Sequence, residues 1–156
     1  LVQSLLFENS PQFMYGFRRF LLRLFGAKIG KKVLIRPTVR VTYPWKVAIG
    51  DYSWIGDDVV LYSLGEIEIG KNVVISQKSY ICTASHDYLQ SDFPIFSEKN
   101  TIEDECWLAT DVYIAPGITI GKGTVVGARS SVYKDIASNK VCVGNPAKII
   151  RERKID

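Results

Sequence analysis

Histidine is almost missing from this chain: His86 is the only one in 156 residues. A metal centre that draws several histidine ligands from one chain therefore has nothing to draw on. Cysteine is scarce as well. Cys82, Cys106 and Cys142 form no CxxC pair and leave one thiol over in any disulfide scheme, which excludes a disulfide-framed secreted domain and favours the reducing cytoplasm. No apolar run approaches the length of a membrane-spanning helix, and LVQSLLFENSPQF lacks the charged start and long apolar core of a signal peptide. The absent initiator Met suggests that residues precede Leu1. Strong net charge is absent too. The formal value is +4, with acidic residues spread through the basic ones, so composition points to an anionic small ligand rather than to nucleic acid. What is present is hydrophobic content of 47%, enough for one substantial core in a chain too short for two.

That content is periodic. Branched aliphatics recur every six residues at Ile29, Ile35 and Val41, at Ile49, Ile55 and Leu61, and at Ile69, Ile75 and Ile81. After a gap the step resumes from Ile102 through Leu108, Ile114, Ile120 and Val126 to Val132. A small residue often follows the aliphatic, as in Ile49-Gly50 and Ile69-Gly70, and the fifth place is small or β-branched. Short β-rich segments separated by bends describe a solenoid whose aliphatics stack in a central column, three hexads to a triangular coil. The period leaves the hand of the coil open.

The interruptions are ordered. Val41 to Ile49, Leu61 to Ile69 and Ile81 to Ile102 each exceed the step, and each follows the third hexad, so all three insertions fall on one edge of the prism. The longest, 82–101, begins with ICTASHDYLQ and carries His86. The sixth place of each coil's first hexad is apolar: Leu34, Trp54, Val74, Trp107 and Val125. These residues should face outward, and a stripe of that length predicts a threefold homo-oligomer, or else cover by the N-terminal segment. In that segment Phe13, Phe17, Phe20, Leu21 and Leu24 have helical spacing, with Arg18, Arg19 and Arg23 elsewhere and Gly26 as a stop. Such a helix caps the open end of the solenoid or lies peripherally on an anionic membrane. The expected organisation is a helical segment 1–28, a β-helix 29–143 with the long loop, and a tail 144–156 containing a short helix.

His86 stands at the mouth of a loop against a rigid wall, beside Ser85 and Asp87. Imidazole titrates near neutrality and can take a proton from a hydroxyl or an amine. Asp87 would orient that ring, bind a hydroxyl, or simply form an Asx turn. Tyr43, Trp45, Tyr62, Tyr88 and Phe93 offer aromatic faces for a sugar ring.

Three stretches carry a family resemblance: IGKKVLIRPTVRVTYPWKVAIGDYSWIG, ISQKSYICTASHDY, and ECWLATDVYIAPGITIGKGTVVGARSSVYKDI followed by VCVGNPAKIIRER. Over Ile29 to about Arg151 the chain resembles the hexapeptide-repeat family, the left-handed parallel β-helix. Within it, the likeness is to acetyl-CoA-dependent acetyltransferases of colanic acid biosynthesis and to sugar O-acetyltransferases. The resemblance implies an all-β fold, acetyl-CoA as co-substrate without a metal, His86 as general base, and a sugar hydroxyl as acceptor, with Asp87, Tyr88, Trp45 and Tyr62 beside it. It also implies a donor slot at Thr110, Gly127, Ala128, Lys134, Lys148 and Arg151, in which small residues admit the pantetheine arm and cations meet phosphate. WLATDV departs from the commoner WIG pattern, since Ala109 puts a methyl on a turn. Three other readings are an amine acceptor on a nucleotide sugar, an acyl-carrier-protein donor, and a scaffold without catalysis.

Overall fold

The computed structural model describes residues 7–154; expectations for residues 1–6 and 155–156 lie outside the described part. Strands of two to five residues wind into five coils and a partial sixth. The strands lie on three faces. On face A the aliphatics Ile29, Ile49, Ile69, Ile102 and Ile120 stack in parallel register. On face B the column is Ile35, Ile55, Ile75, Leu108, Val126 and Cys142. On face C it is Val41, Leu61, Ile81, Ile114 and Val132. All of these side chains are buried, and burial of each large aliphatic is worth about 1.5–3 kcal/mol. The six-residue step is thus one strand plus one corner.

The corners explain the residues between. Lys32, Tyr52, Asn72 and Glu105 at the A–B edge, and Asp58, Lys78, Asp111 and Arg129 at the B–C edge, all take positive φ between 51° and 62°. The glycines after the aliphatics serve a different need. A Cβ on Gly50 would lie 2.6 Å from the carbonyl carbon of Gly70, so these glycines let one coil sit directly on the next.

In a stack of parallel coils, N–H groups of one coil donate to carbonyls of the next: Gly30 to Ile49, Leu34 to Ser53, Arg36 to Ile55. The matching carbonyls of the first coil, on Ile29, Val33 and Ile35, have no coil beneath them. The helix Tyr15–Leu24 supplies the donors. Arg23 donates to Ile29 O, Arg19 to Val33 O at 2.9 Å, and Arg18 Nε to Ile35 O at 2.6 Å. Leu21 and Leu22 close the apolar end of the column. The helix is therefore a cap, but oriented otherwise than its apolar spacing suggests: the arginines face the solenoid, while Phe13, Phe20 and Leu24 face outward.

The helix leaves the face B stripe open, with Trp54 and Trp107 each 47% exposed. At the other end the expected C-terminal helix is absent. Lys148–Glu152 is a strand, antiparallel to Lys140–Val143. The last coil presents a row of unpaired backbone groups on face B, and an extended return strand can pair with it where a helix cannot. Among the described residues no helix is long and apolar enough to cross a membrane.

Candidate functional site

The long insertion leaves the C–A edge as a two-stranded hairpin, Ala84–His86 against Ile95–Ser97, with His86 opposite Ile95. Two fully buried polar side chains clamp its base. Thr83 donates to Tyr62 O at 2.6 Å and accepts from Gly65 N–H at 2.8 Å, tying the hairpin to the coil below. Asn100 donates to Cys82 O at 2.8 Å and accepts from Ile118 N–H at 2.9 Å, tying it to the coil above. His86 is exposed on this braced arm.

Its Nδ1 lies 2.5 Å from Phe93 O. A carbonyl oxygen only accepts, so Nδ1 carries the hydrogen in the neutral ring and Nε2 keeps its lone pair. Phe93 holds φ +47°, a left-handed conformation that costs about 1 kcal/mol or more for a bulky residue and that aims this carbonyl at the ring. Nothing in the sequence marks Phe93 for that role. Asp87 serves the turn: it accepts from Leu89 N–H at 3.0 Å and from Gln90 Nε2 at 2.8 Å, and the Gln90 bond lowers its pKa.

The aromatics proposed for a sugar are strung along the same edge. Tyr88 is 81% exposed in the hairpin turn, and Trp45 is 59% exposed in the short turn Pro44–Lys46, its ring 5.0 Å from that of Tyr43. A groove of about 320 Å³ runs beside Trp45, between Lys28, Glu66, Glu68 and Lys99. Tyr62 is half-buried on face C, where it begins a ladder with Tyr80, Tyr113 and Tyr133 at centroid spacings of 6.0, 6.2 and 5.9 Å. Tyr62 and Tyr133 follow the inward aliphatic rather than precede it, so the regular step hides the ladder. Burial, reinforced by a hydrogen bond with Cys82, pushes the Tyr113 hydroxyl up to about 12.

The residues expected at a donor slot fall elsewhere. Thr110, Gly127 and Ala128 lie on the B–C edge, and Lys148 stands at the same edge, opposite Val143. Thr110 Oγ1 donates to Gln77 O at 3.0 Å, and a Cβ on Gly127 would meet Val143 Cγ1 at 2.5 Å. Arg151 is exposed on the last strand, while Lys134 follows face C and belongs to the C–A edge with His86. A groove of about 290 Å³ borders the B–C edge between Arg36, Trp54, Asp57, Ser76 and Gln77. One chain thus holds His86 and most of the residues expected at the donor slot on the two edges that flank face C, with the width of that face between them. Among the described residues no group of three or more His, Cys, Asp or Glu is placed to hold a metal.

No family model matches the chain. A protein of Escherichia coli K12 named as a colanic acid biosynthesis acetyltransferase, WcaF, is 63% identical over 152 residues, 97% of this chain and 84% of the relative. The crystal structure of a maltose O-acetyltransferase from Clostridium difficile 630 superposes with a TM-score of 0.90 at 31% identity, covering 98% of this chain and 83% of the other. A hexapeptide-repeat acetyltransferase from Vibrio cholerae, solved with acetyl coenzyme A, gives 0.87 at 29% identity, covering 98% and 84%.

Proposed function

The chain belongs to the hexapeptide-repeat acetyltransferases, acetyl-CoA-dependent enzymes built on a left-handed β-helix, and from that premise we propose that it acetylates a hydroxyl group of a sugar or polysaccharide precursor with His86 as general base. The observation that carries this reading is the pinned imidazole. With Nδ1 spent on Phe93 O, Nε2 is the nitrogen left to take a proton. As the acceptor oxygen attacks the thioester carbonyl, Nε2 takes its hydrogen. The tetrahedral intermediate then expels the CoA thiolate, which recovers that proton from the imidazolium, leaving an acetyl ester and free thiol. Holding both substrates together supplies much of the acceleration. The O-acetyl reading over the amine reading is supported by the named activity of the maltose O-acetyltransferase. Trp45 and Tyr88 share the His86 edge, Tyr62 adjoins it at the end of its face C strand, and the three would line the acceptor, while Asp87 acts through the turn.

The separation of the two edges favours a homotrimer. Three copies that turn face C towards a common axis bring the C–A edge of each against the B–C edge of the next. His86 of one copy then meets the donor residues Thr110, Gly127, Ala128, Lys148 and Arg151 of its neighbour. In that arrangement the axis is lined by face C and not by the apolar stripe from which the sequence predicts the oligomer, and the stripe with Trp54 and Trp107 borders the donor groove instead.

Calorimetry with acetyl-CoA on the wild type and His86→Ala, followed by thiol release over a panel of sugars, tests the reading. Binding retained in both, with turnover of the variant down about 10²–10⁴-fold, is expected for loss of a general base. Equal turnover in the two proteins would remove His86 from the chemistry. Absence of acetyl-CoA binding in both would return the scaffold and carrier-protein readings.

A further inference from the structure

The helix that caps the solenoid has a second face. Phe13 is 79% exposed, Phe20 59%, Leu24 65% and Phe25 42%, with half-buried Phe17 completing a stripe along one side. Lys28, Lys31 and Lys32 are exposed beside it on the first coil. Charge is sorted in the same way. Residues 9–50 hold nine Lys and Arg and no Asp or Glu, so of the 20 basic and 16 acidic residues the rest of the chain keeps 11 and 16. Acidic residues are therefore not spread among basic ones, as the net value suggests. One end of the solenoid carries +9, and the remainder is negative.

We propose that this end docks on an anionic lipid surface, with Phe13, Phe20, Leu24 and Phe25 at the boundary of headgroups and acyl chains and Lys28, Lys31 and Lys32 over the headgroups. Two copies meeting through this end would oppose like charges, and a nucleic acid offers nothing apolar to four exposed hydrophobic side chains. An anionic bilayer offers both. The arginines that would weaken an interfacial helix by pointing into lipid are already held by Ile29, Val33 and Ile35 carbonyls. The docking does not depend on His86, and its readout is independent of acetyl transfer.

The test is sedimentation of the full chain with vesicles of phosphatidylcholine containing about 30% phosphatidylserine, against pure phosphatidylcholine, at about 0.15 M salt. The wild type is expected to sediment with the anionic vesicles only. Lys28→Gln, Lys31→Gln and Lys32→Gln together should lower the partition coefficient roughly a hundredfold. Phe13→Ser, Phe20→Ser and Leu24→Ser together should lower it at least about tenfold, with circular dichroism and sedimentation velocity unchanged. Wild type left in the supernatant, or a serine variant that sediments like wild type, would overturn the proposal. A serine variant with altered oligomeric mass would also overturn it and make this surface a subunit contact.

Discussion

Arg18 is fully buried, and no carboxylate pairs with it among the described residues. Instead its guanidinium joins two pieces of chain. Nε donates to Ile35 O at 2.6 Å on the solenoid, while Nη1 donates to Ser10 Oγ and Pro11 O and Nη2 to Gln12 O on the segment before the helix. The group also stacks 4.9 Å over Tyr15. Burial lowers its pKa, but an arginine stays charged over any working range. Arg18→Met keeps most of the volume and removes every donor, stranding three carbonyls and a hydroxyl. At about 1 kcal/mol for each orphaned acceptor, the low end of the usual range, the loss is about 4 kcal/mol. Release of a buried cation from its desolvation offsets part of this, so a net loss of about 2–4 kcal/mol is expected. For a chain of this size that lowers the melting temperature by about 5–15 °C. Arg18→Lys, with one ammonium for two separated acceptor sets, should fall between wild type and Met. Urea titration monitored by circular dichroism measures all three. A Met variant within about 1 kcal/mol of wild type would refute the idea that these hydrogen bonds hold the cap in place.

A site split between neighbouring copies, as proposed, predicts complementation. His86→Ala and a donor-edge variant such as Ala128→Trp should each be inactive alone, but chains unfolded and refolded together at equal amounts should regain about a quarter of the wild-type turnover, because one neighbouring pair in four combines two intact edges. No recovery would mean that each chain builds its own site. The cysteines predict a pH response. Burial pushes Cys106 and Cys142 up to about 11, so at pH 8 only about one in a thousand of these thiols is ionised, against roughly one in four in an unfolded chain. Native alkylation by iodoacetamide, followed site by site in a mass spectrometer, should be slower than in urea by at least about a hundredfold. Because folding raises these pKa values, their contribution to stability is complete below about 8.5 and declines as pH rises towards 11. A flat urea midpoint across that window would contradict their burial.

Periodicity made the fold legible because the same aliphatic column is rebuilt every coil: Ile35, Ile55 and Ile75 can be read off without coordinates. The placement of His86 on the inserted hairpin was legible from its position after the third hexad. The arginine cap was not, since Arg18, Arg19 and Arg23 read as the solvent side of an amphipathic helix until the open carbonyls of Ile29, Val33 and Ile35 are seen. Phe93 was hidden for a similar reason: its contribution is a backbone oxygen, which the identity of its side chain does not announce. The tail misled because KIIRERK suits a helix, while the last coil needed a strand. The charge segregation over residues 9–50 was plain in the sequence and lost only by averaging.

A solenoid has no intrinsic length: each coil is a template for the next, and nothing in Ile35 or Ile55 says where to stop. Two uncapped ends of opposite hydrogen-bonding polarity would fit one another and grow head to tail into a filament. The three arginines at one end and the returning strand Lys148–Glu152 at the other make the particle finite. Removing both caps would change what the molecule is as a material, from a discrete enzyme to the repeat unit of a fibre.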